Sequence, residues 1–390
     1  MSGTELQGDW NYPTSIRFGA GRIAELPVAC RELGMERPLL VTDRGLAGLP
    51  IVSDTLEIMS QADLGAGLFS DVQANPGGAT VDAGTAALRA GDHDGVVAFG
   101  GGSALDVGKA VALMAHQSRP LWDFEDIGDN WRRVDAGAMV PVVAVPTTSG
   151  TGSEVGRASV IVHEASHRKA IIFHPNMLPQ RVLCDPELTV GLPTPITAAV
   201  GMDALSHNLE ALCAPGFHPQ ADGIALEGMR QVRLALRQAV ADGTDVAARA
   251  LMMAASMMGA TAFQKGLGAM HAMSHAMGGA LNTPHGLTNA VVMPYVLVFN
   301  RSAIDERMAR LARVLDLPGS GFDAVLRWVL DLRESLGIPH TTAALGFREE
   351  HAAALAPAAA ADSTAPTNPI PLDEAILEQL FLRALRGELS

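Results

Sequence analysis

In the first half of the chain, apolar residues fall in short unbroken runs rather than in alternation. Residues 38–43 (PLLVTD), 95–99 (GVVAF) and 141–146 (PVVAVP) have strand length and end at Gly, Asp or Pro-Thr. A run that is apolar at every position belongs to a strand buried on both faces. Longer stretches of helical character, such as 80–90 and 104–115, lie between these runs. Strands separated by helices predict a parallel sheet with helices on its faces. β-like runs at 158–164 (ASVIVHE), 169–173 (KAIIF) and 181–184 (RVLC) predict an added hairpin region. The character changes near Leu192-Pro193-Thr194-Pro195. Beyond it Ala, Leu, Met and Arg dominate at helical spacing. The boundary is placed near 190, with an α/β domain over 1–190 and an all-helical domain over 191–390. The Ala-rich segment 352–368 reads as a helix followed by a loop, with nothing in it that carries chemistry.

Composition narrows the function classes. A chain of 390 residues fits two domains, and 48% hydrophobic with 18% charged residues fits an ordered globular protein. The net charge of −14 would repel a phosphate backbone, which excludes nucleic acid as an expected partner. Cys30, Cys184 and Cys213 form no CxxC pair, so neither a disulfide framework nor a thiolate zinc site is expected, and a reducing cytoplasm is the default. The start, MSGTELQGDWNYP, has no basic segment followed by an apolar one, so no signal peptide is expected. Apolar stretches such as LMMAASMMGATAF from Leu251 are too short to cross a bilayer and read as buried helix. No membrane partner is expected.

Three strand ends carry candidate chemistry. Residues 95–110 (GVVAFGGGSALDVGKA) pass from strand through Gly100-Gly101-Gly102 to a helix at Ser103, and Ser103 with Asp106 has the form of a capping box. Glycines admit a close ligand, and a helix start offers free N–H groups to a pyrophosphate. Leu105 replaces the last glycine of GxGxxG, and Lys109-Ala110 is not a Walker A ending, so the stretch also reads as a tight turn. Residues 141–154 place Thr147, Thr148, Ser149, Thr151 and Ser153 just after a strand, where open parallel sheets bind ligands. Asp43 ends another strand. It suits an adenosine ribose hydroxyl, or alternatively a simple turn.

The second half holds the other constellation. Asp203 and His207 in GMDALSHNLEAL share a helix face at spacing i, i+4, and His271 and His275 repeat that spacing. His285 follows after Pro284. Three imidazoles and a carboxylate suit a borderline divalent metal such as Fe(II) or Zn(II) with an open position. One of the three histidines in HAMSHAMGGALNTPH is then surplus and suits a proton carrier.

In this order the motifs GGGSALDVGK, PTTSGTGSEV, GMDALSHNLEA and GLGAMHAMSHAMGGALNTPHGLTNAVVMPYV resemble the iron-containing, group III alcohol dehydrogenases. The resemblance runs from TSIRFGAGRIAELP to TNPIPL. It implies a Rossmann-like α/β domain followed by an all-α domain, in a dehydroquinate synthase-like fold. It implies an NAD-dependent enzyme that transfers hydride between NAD and a small primary alcohol, hydroxy acid or diol, or reduces the aldehyde. It assigns the metal, Fe(II) with Zn(II) as an alternative, to Asp203, His207, His271 and His285. His275 becomes the non-ligand histidine beside the nicotinamide and the candidate proton relay. Gly101, Gly102 and Ser103, with Asp106 in the same motif, match the pyrophosphate turn, and Thr147, Thr148 and Thr151 the cofactor loop. Lys169 matches the residue reaching the nicotinamide ribose, and Asp43 the aspartate of NAD preference. The family also implies a homodimer or larger homo-oligomer.

The chain departs from the family pattern at Ala276-Met277, where members often carry proline. Near the substrate, Phe263, Lys265 and Ala158 are the candidate pocket residues. Lys265 reads either as the partner of an anionic aldehyde or as a solvated helix-end lysine. The competing classes are a glycerol dehydrogenase-like zinc polyol dehydrogenase, a dehydroquinate synthase-like lyase, and a non-catalytic nucleotide-binding scaffold.

Overall fold

Strands buried on both faces dominate the centre of a sheet, and short half-exposed strands close its edges. The structure is a computed structural model describing residues 14–166 and 168–389; the N-terminal residues from which a missing leader was read lie outside the described residues. The chain divides into two compact units, Pro13–Gly191 and a second from Leu192 onward.

The first unit runs β1 (Ser15–Phe18), α1 (Leu26–Glu32), β2 (Pro38–Asp43), α2 (Pro50–Gln61), β3 (Gly67–Val72), α3 (Gly78–Ala90), β4 (Gly95–Gly100), α4 (Gly102–Met114), β5 (Val142–Pro146), β6 (Ala158–His163), β7 (Arg168–Phe173) and β8 (Arg181–Cys184). Six strands form one parallel sheet in the order β1-β8-β5-β4-β2-β3. The central β2, β4 and β5 are the unbroken apolar runs, and β4 and β5 are buried at every position. The edge strands β1 and β3 went unread because they are short or half exposed and carry polar residues. The pair β6–β7 forms an antiparallel hairpin as expected. The third run does not join it: β8 pairs with β1 and β5 in the main sheet. A run this short, with three apolar residues after Arg181, carries no signal of which sheet it joins.

The second unit is helical: α5 (Thr194–Cys213), α6 (Pro219–Ala241), α7 (Val246–Ala262), α8 (Ala269–Leu281), α9 (His285–Val314), α10 (Gly321–Ser335), α11 (Glu349–Ala360) and α12 (Glu374–Arg386). Among the described residues one stretch, Val246–Lys265, is long and apolar enough by composition to cross a membrane. Its helix α7 buries Met252, Met253, Ala255, Ser256 and Gly259 and packs on α5 and α6 as a core helix. Met277, where proline was expected, is fully buried and α8 continues through it, so it serves as a core residue. The three cysteines are buried and none is in a disulfide; burial pushes the Cys30 and Cys213 thiols up to about 12, which leaves those two inert at neutral pH.

Candidate active site

In the first unit, the C-terminal ends of β2, β4 and β5 lie side by side. Helix α4 begins at Gly102 directly after Gly101. Thr148 and Thr151 lie so close that a side chain at Gly101 or Gly102 would meet their atoms at 3.2 and 2.5 Å. The N–H of Thr147 donates to the carbonyl of Gly100 at 3.0 Å, joining the two strand ends. Gly101, Gly102, Ser103, Thr147, Thr148 and Thr151 are thus one surface at a helix N-terminus, suited to an anion. Asp43 Oδ1 accepts the N–H groups of Gly45 and Leu46 at 2.9 and 3.0 Å, which is the turn reading. Its Oδ2 faces Gly100, 3.3 Å from where a side chain would begin. Lys169 and Ala158 lie on the β6–β7 hairpin.

The capping box expected of Ser103 and Asp106 does not form; Gly101 precedes the helix and no side chain caps it. Asp106 is buried instead. One oxygen accepts from the Ser153 hydroxyl at 2.5 Å and the other from the Val160 N–H at 3.0 Å. Lys109, 1% exposed, donates to the carbonyls of Ser153 (2.9 Å) and Ala158. Burial pushes the Lys109 ammonium below its ordinary pKa, against the pull of Asp106 and Glu154. Asp106 and Lys109 therefore fasten α4 to the threonine loop and β6. Spacing alone could not separate this inward role from a capping one.

Glu154, which sequence reasoning passed over, is 2% exposed and its Oε1 has no hydrogen-bond partner. Burial raises its pKa from 4.5 to about 7, against its backbone hydrogen bond and Lys109. The folded state thus retains a proton that the unfolded chain releases above 4.5. Stability from this group is complete below the unfolded pKa and is lost as pH rises through about 7, a contribution of about 3 kcal/mol. Glu154→Gln is therefore expected to raise the melting temperature relative to wild type by several degrees more at about pH 8 than at about pH 5. A difference that does not change with pH would refute this.

In the second unit the four expected ligands come together. Asp203 and His207 on α5, His271 on α8 and His285 at the start of α9 place one ligand atom each within 4.8 Å of one another. Gly286 permits this approach of α9 to α5, since a side chain there would meet the Ala199 carbonyl at 2.6 Å. His207 and His271 stack with ring centroids 4.7 Å apart. Asp203, His207 and His271 are buried, whereas the His285 side chain is 25% exposed, leaving one side of the cluster open. The amide Nδ2 of Asn289 lies 2.9 Å from Asp203 Oδ1 and 3.3 Å from Nε2 of both His271 and His285. Its own Oδ1 is buried without a partner. Three acceptor atoms from three helices thus converge on one electropositive atom. That convergence, and the one-carboxylate, three-imidazole donor set, fit a divalent cation.

Sequence reasoning missed the residues behind the ligands. The Nδ1 atoms of three histidines are each engaged: His271 with Glu210 (2.6 Å), His275 with Asp362 (2.9 Å) and His285 with Ser274 (2.9 Å). Burial opposes charge on His271, but the Glu210 hydrogen bond and charge, with Asp203 and Asp362 behind, outweigh it and hold its pKa above the ordinary value. Asp362 belongs to the Ala-rich segment in which no chemistry was expected, yet its carboxylate is the partner of the His275 ring. His275 stacks on His285 at 5.2 Å and meets His271 edge-on at 5.9 Å, inside the cluster. Phe263 packs edge-on against His207 at 5.2 Å, an apolar wall beside a ligand. Lys265 is not a solvated helix-end residue. It is 9% exposed, pairs with Asp222 at 2.5 Å and donates to the Leu212 carbonyl at 3.3 Å.

Comparison with known proteins agrees with this geometry. Residues 13–186 match the iron-containing alcohol dehydrogenase family, and residues 197–385 match the C-terminal part of the Fe-containing alcohol dehydrogenase family. A 4-hydroxybutyrate dehydrogenase of Cupriavidus necator is 41% identical over 369 residues, covering 92% of this chain and 94% of its own. The crystal structure of a 1,3-propanediol oxidoreductase superposes with a TM-score of 0.92 at 33% identity, covering 97% of this chain and 100% of its own. A sulfoacetaldehyde reductase from Bifidobacterium kashiwanohense, solved with NAD+, gives 0.87 at 28% identity over 99% of this chain and 100% of its own. The chain belongs to the iron-containing alcohol dehydrogenase family and is an oxidoreductase of that class.

Proposed function

We propose that this enzyme is NAD-dependent and oxidises a small primary alcohol or diol to the aldehyde, or reduces the aldehyde, with a divalent metal held by Asp203, His207, His271 and His285. The convergence of those four ligand atoms within 4.8 Å carries the reading. When bound, such a metal supplies Lewis acidity, which lowers the pKa of a coordinated hydroxyl by several units. The chain's residues do the rest. His275, with Nδ1 fixed on Asp362, offers Nε2 to take the hydroxyl proton and pass it to solvent. Phe263 keeps one wall beside His207 dry. The 1–190 domain binds the dinucleotide, with Gly101, Gly102, Ser103 and the 147–151 loop taking the pyrophosphate, Lys169 the nicotinamide ribose and Asp43 the adenosine ribose. Asp106 acts there by positioning, not by contact.

Pairing with Asp222 takes up the charge of Lys265, the cation that the sequence placed near the pocket, and this supports an uncharged alcohol or diol over a hydroxy acid. We further propose a cytoplasmic homodimer or larger assembly, with no nucleic acid or membrane partner. NADH formation across methanol, ethanol, 1,3-propanediol and 4-hydroxybutyrate tests the substrate class; a preference for 4-hydroxybutyrate would contradict it. For the cofactor, Asp43→Ser is expected to narrow the NAD-over-NADP preference in kcat/KM by roughly tenfold or more, because a carboxylate repels a 2′-phosphate. An unchanged ratio would leave Asp43 a turn residue only.

A further inference from the structure

We propose that Glu210 is the positioning residue of the metal centre, holding His271 as the tautomer whose Nε2 is free to ligate. This rests on the metal-binding reading above. Glu210 lies on α5, one turn beyond His207, and is 4% exposed. Its Oε2 sits 2.6 Å from His271 Nδ1. Its Oε1 accepts the backbone N–H of Met270 at 2.7 Å, in the first turn of the helix that carries His271. Helix starts leave such N–H groups without internal partners and favour negative charge. Asn368 Oδ1 takes the adjacent N–H of Ala269 at 3.1 Å, so two side chains share the N–H groups of this helix start.

Both oxygens of Glu210 therefore accept. The ring must donate from Nδ1, and the lone pair of the neutral imidazole stays on Nε2. That is the atom lying 3.3 Å from Asn289 Nδ2 and turned to the other ligands. One carboxylate thus ties the helix bearing Asp203 and His207 to the helix bearing His271, and sets the proton on the ring between them. Glutamine has the same shape but one acceptor. If its oxygen stays on the Met270 N–H, its NH2 donates to Nδ1 and the ring proton moves to Nε2, where it blocks ligation. If it turns round, two N–H groups oppose each other at the helix start.

The test is Zn(II) affinity by competition with a chromophoric chelator, on wild type, Glu210→Gln and His271→Ala, together with 15N-histidine NMR of metal-free wild type in alkaline solution. Glu210→Gln is expected to bind zinc roughly 10–100-fold more weakly, and the His271 ring to carry its proton on Nδ1. Wild-type affinity in Glu210→Gln would overturn the proposal. So would a proton on Nε2 in the wild-type spectrum, which decides the matter if the variant fails to fold. Wild-type affinity in His271→Ala would instead overturn the metal reading itself.

Discussion

Asp203→Ala is expected to lose bound metal and to lower turnover by roughly 10³-fold or more. Asp203 is the sole carboxylate among the four ligands and is 4% exposed. Without it, the three remaining ligands are neutral imidazoles, and no anionic atom would touch the dication in a buried setting. The same change deprives Asn289 of its 2.9 Å acceptor, so the amide that lies among the ligand atoms loses its anchor. Elemental analysis of the purified variant and kcat for NAD-linked alcohol oxidation check this together, with the melting temperature reporting whether the bundle remains folded. A folded variant that retains metal and turnover would remove Asp203 from the ligand set.

The second large effect is expected from Asp362→Asn: a fall in kcat of roughly 10²-fold with metal content unchanged. His275 Nδ1 meets Asp362 Oδ2 at 2.9 Å, while Oδ1 accepts from the N–H and hydroxyl of Thr364 at 2.9 and 2.6 Å. Burial pushes the Asp362 carboxyl upward, but the charge and hydrogen bond of His275 and the two Thr364 contacts outweigh it and hold it below its ordinary value. It is a fixed anion with both oxygens committed. An asparagine amide would present N–H to one of those donors, turn the ring to the wrong tautomer, and leave His275 without an acceptor for the substrate proton. A kcat within twofold of wild type would remove His275 from proton transfer. Loss of metal in this variant would instead make Asp362 part of the metal site's support.

The contrast between these two aspartates shows what was legible in the sequence. Asp203 could be found because a metal ligand pair on a helix has a spacing, i, i+4, that geometry imposes. The glycine turn after β4 could be found because a backbone approach demands a residue type at the end of an apolar run. Asn289, one turn beyond His285 on α9, repeats the i, i+4 spacing and was passed over, but Glu210, Asp362 and Ser274 obey no such rule. They meet their histidines across helices, Asp362 from 87 residues away and Glu210 from 61, and only the packed bundle brings them together. Lys265 and Asp106 failed in the opposite sense. Local sequence placed each near chemistry, but Asp222 and Ser153, distant in the chain, claimed their charges. Among the strands, those that were missed, β1 and β3, are the ones whose pairing on a single side permits polar residues.

The central claim is that alcohol oxidation by this chain depends on one divalent metal at the Asp203–His207–His271–His285 cluster. The direct measurement is anaerobic titration of Fe(II) into chelator-stripped protein, with NADH absorbance followed in the presence of NAD and 1,3-propanediol. The expected result is no turnover in the stripped protein and a linear rise that levels off at one equivalent of metal per chain. Turnover that survives stripping and ignores added Fe(II) would contradict the account.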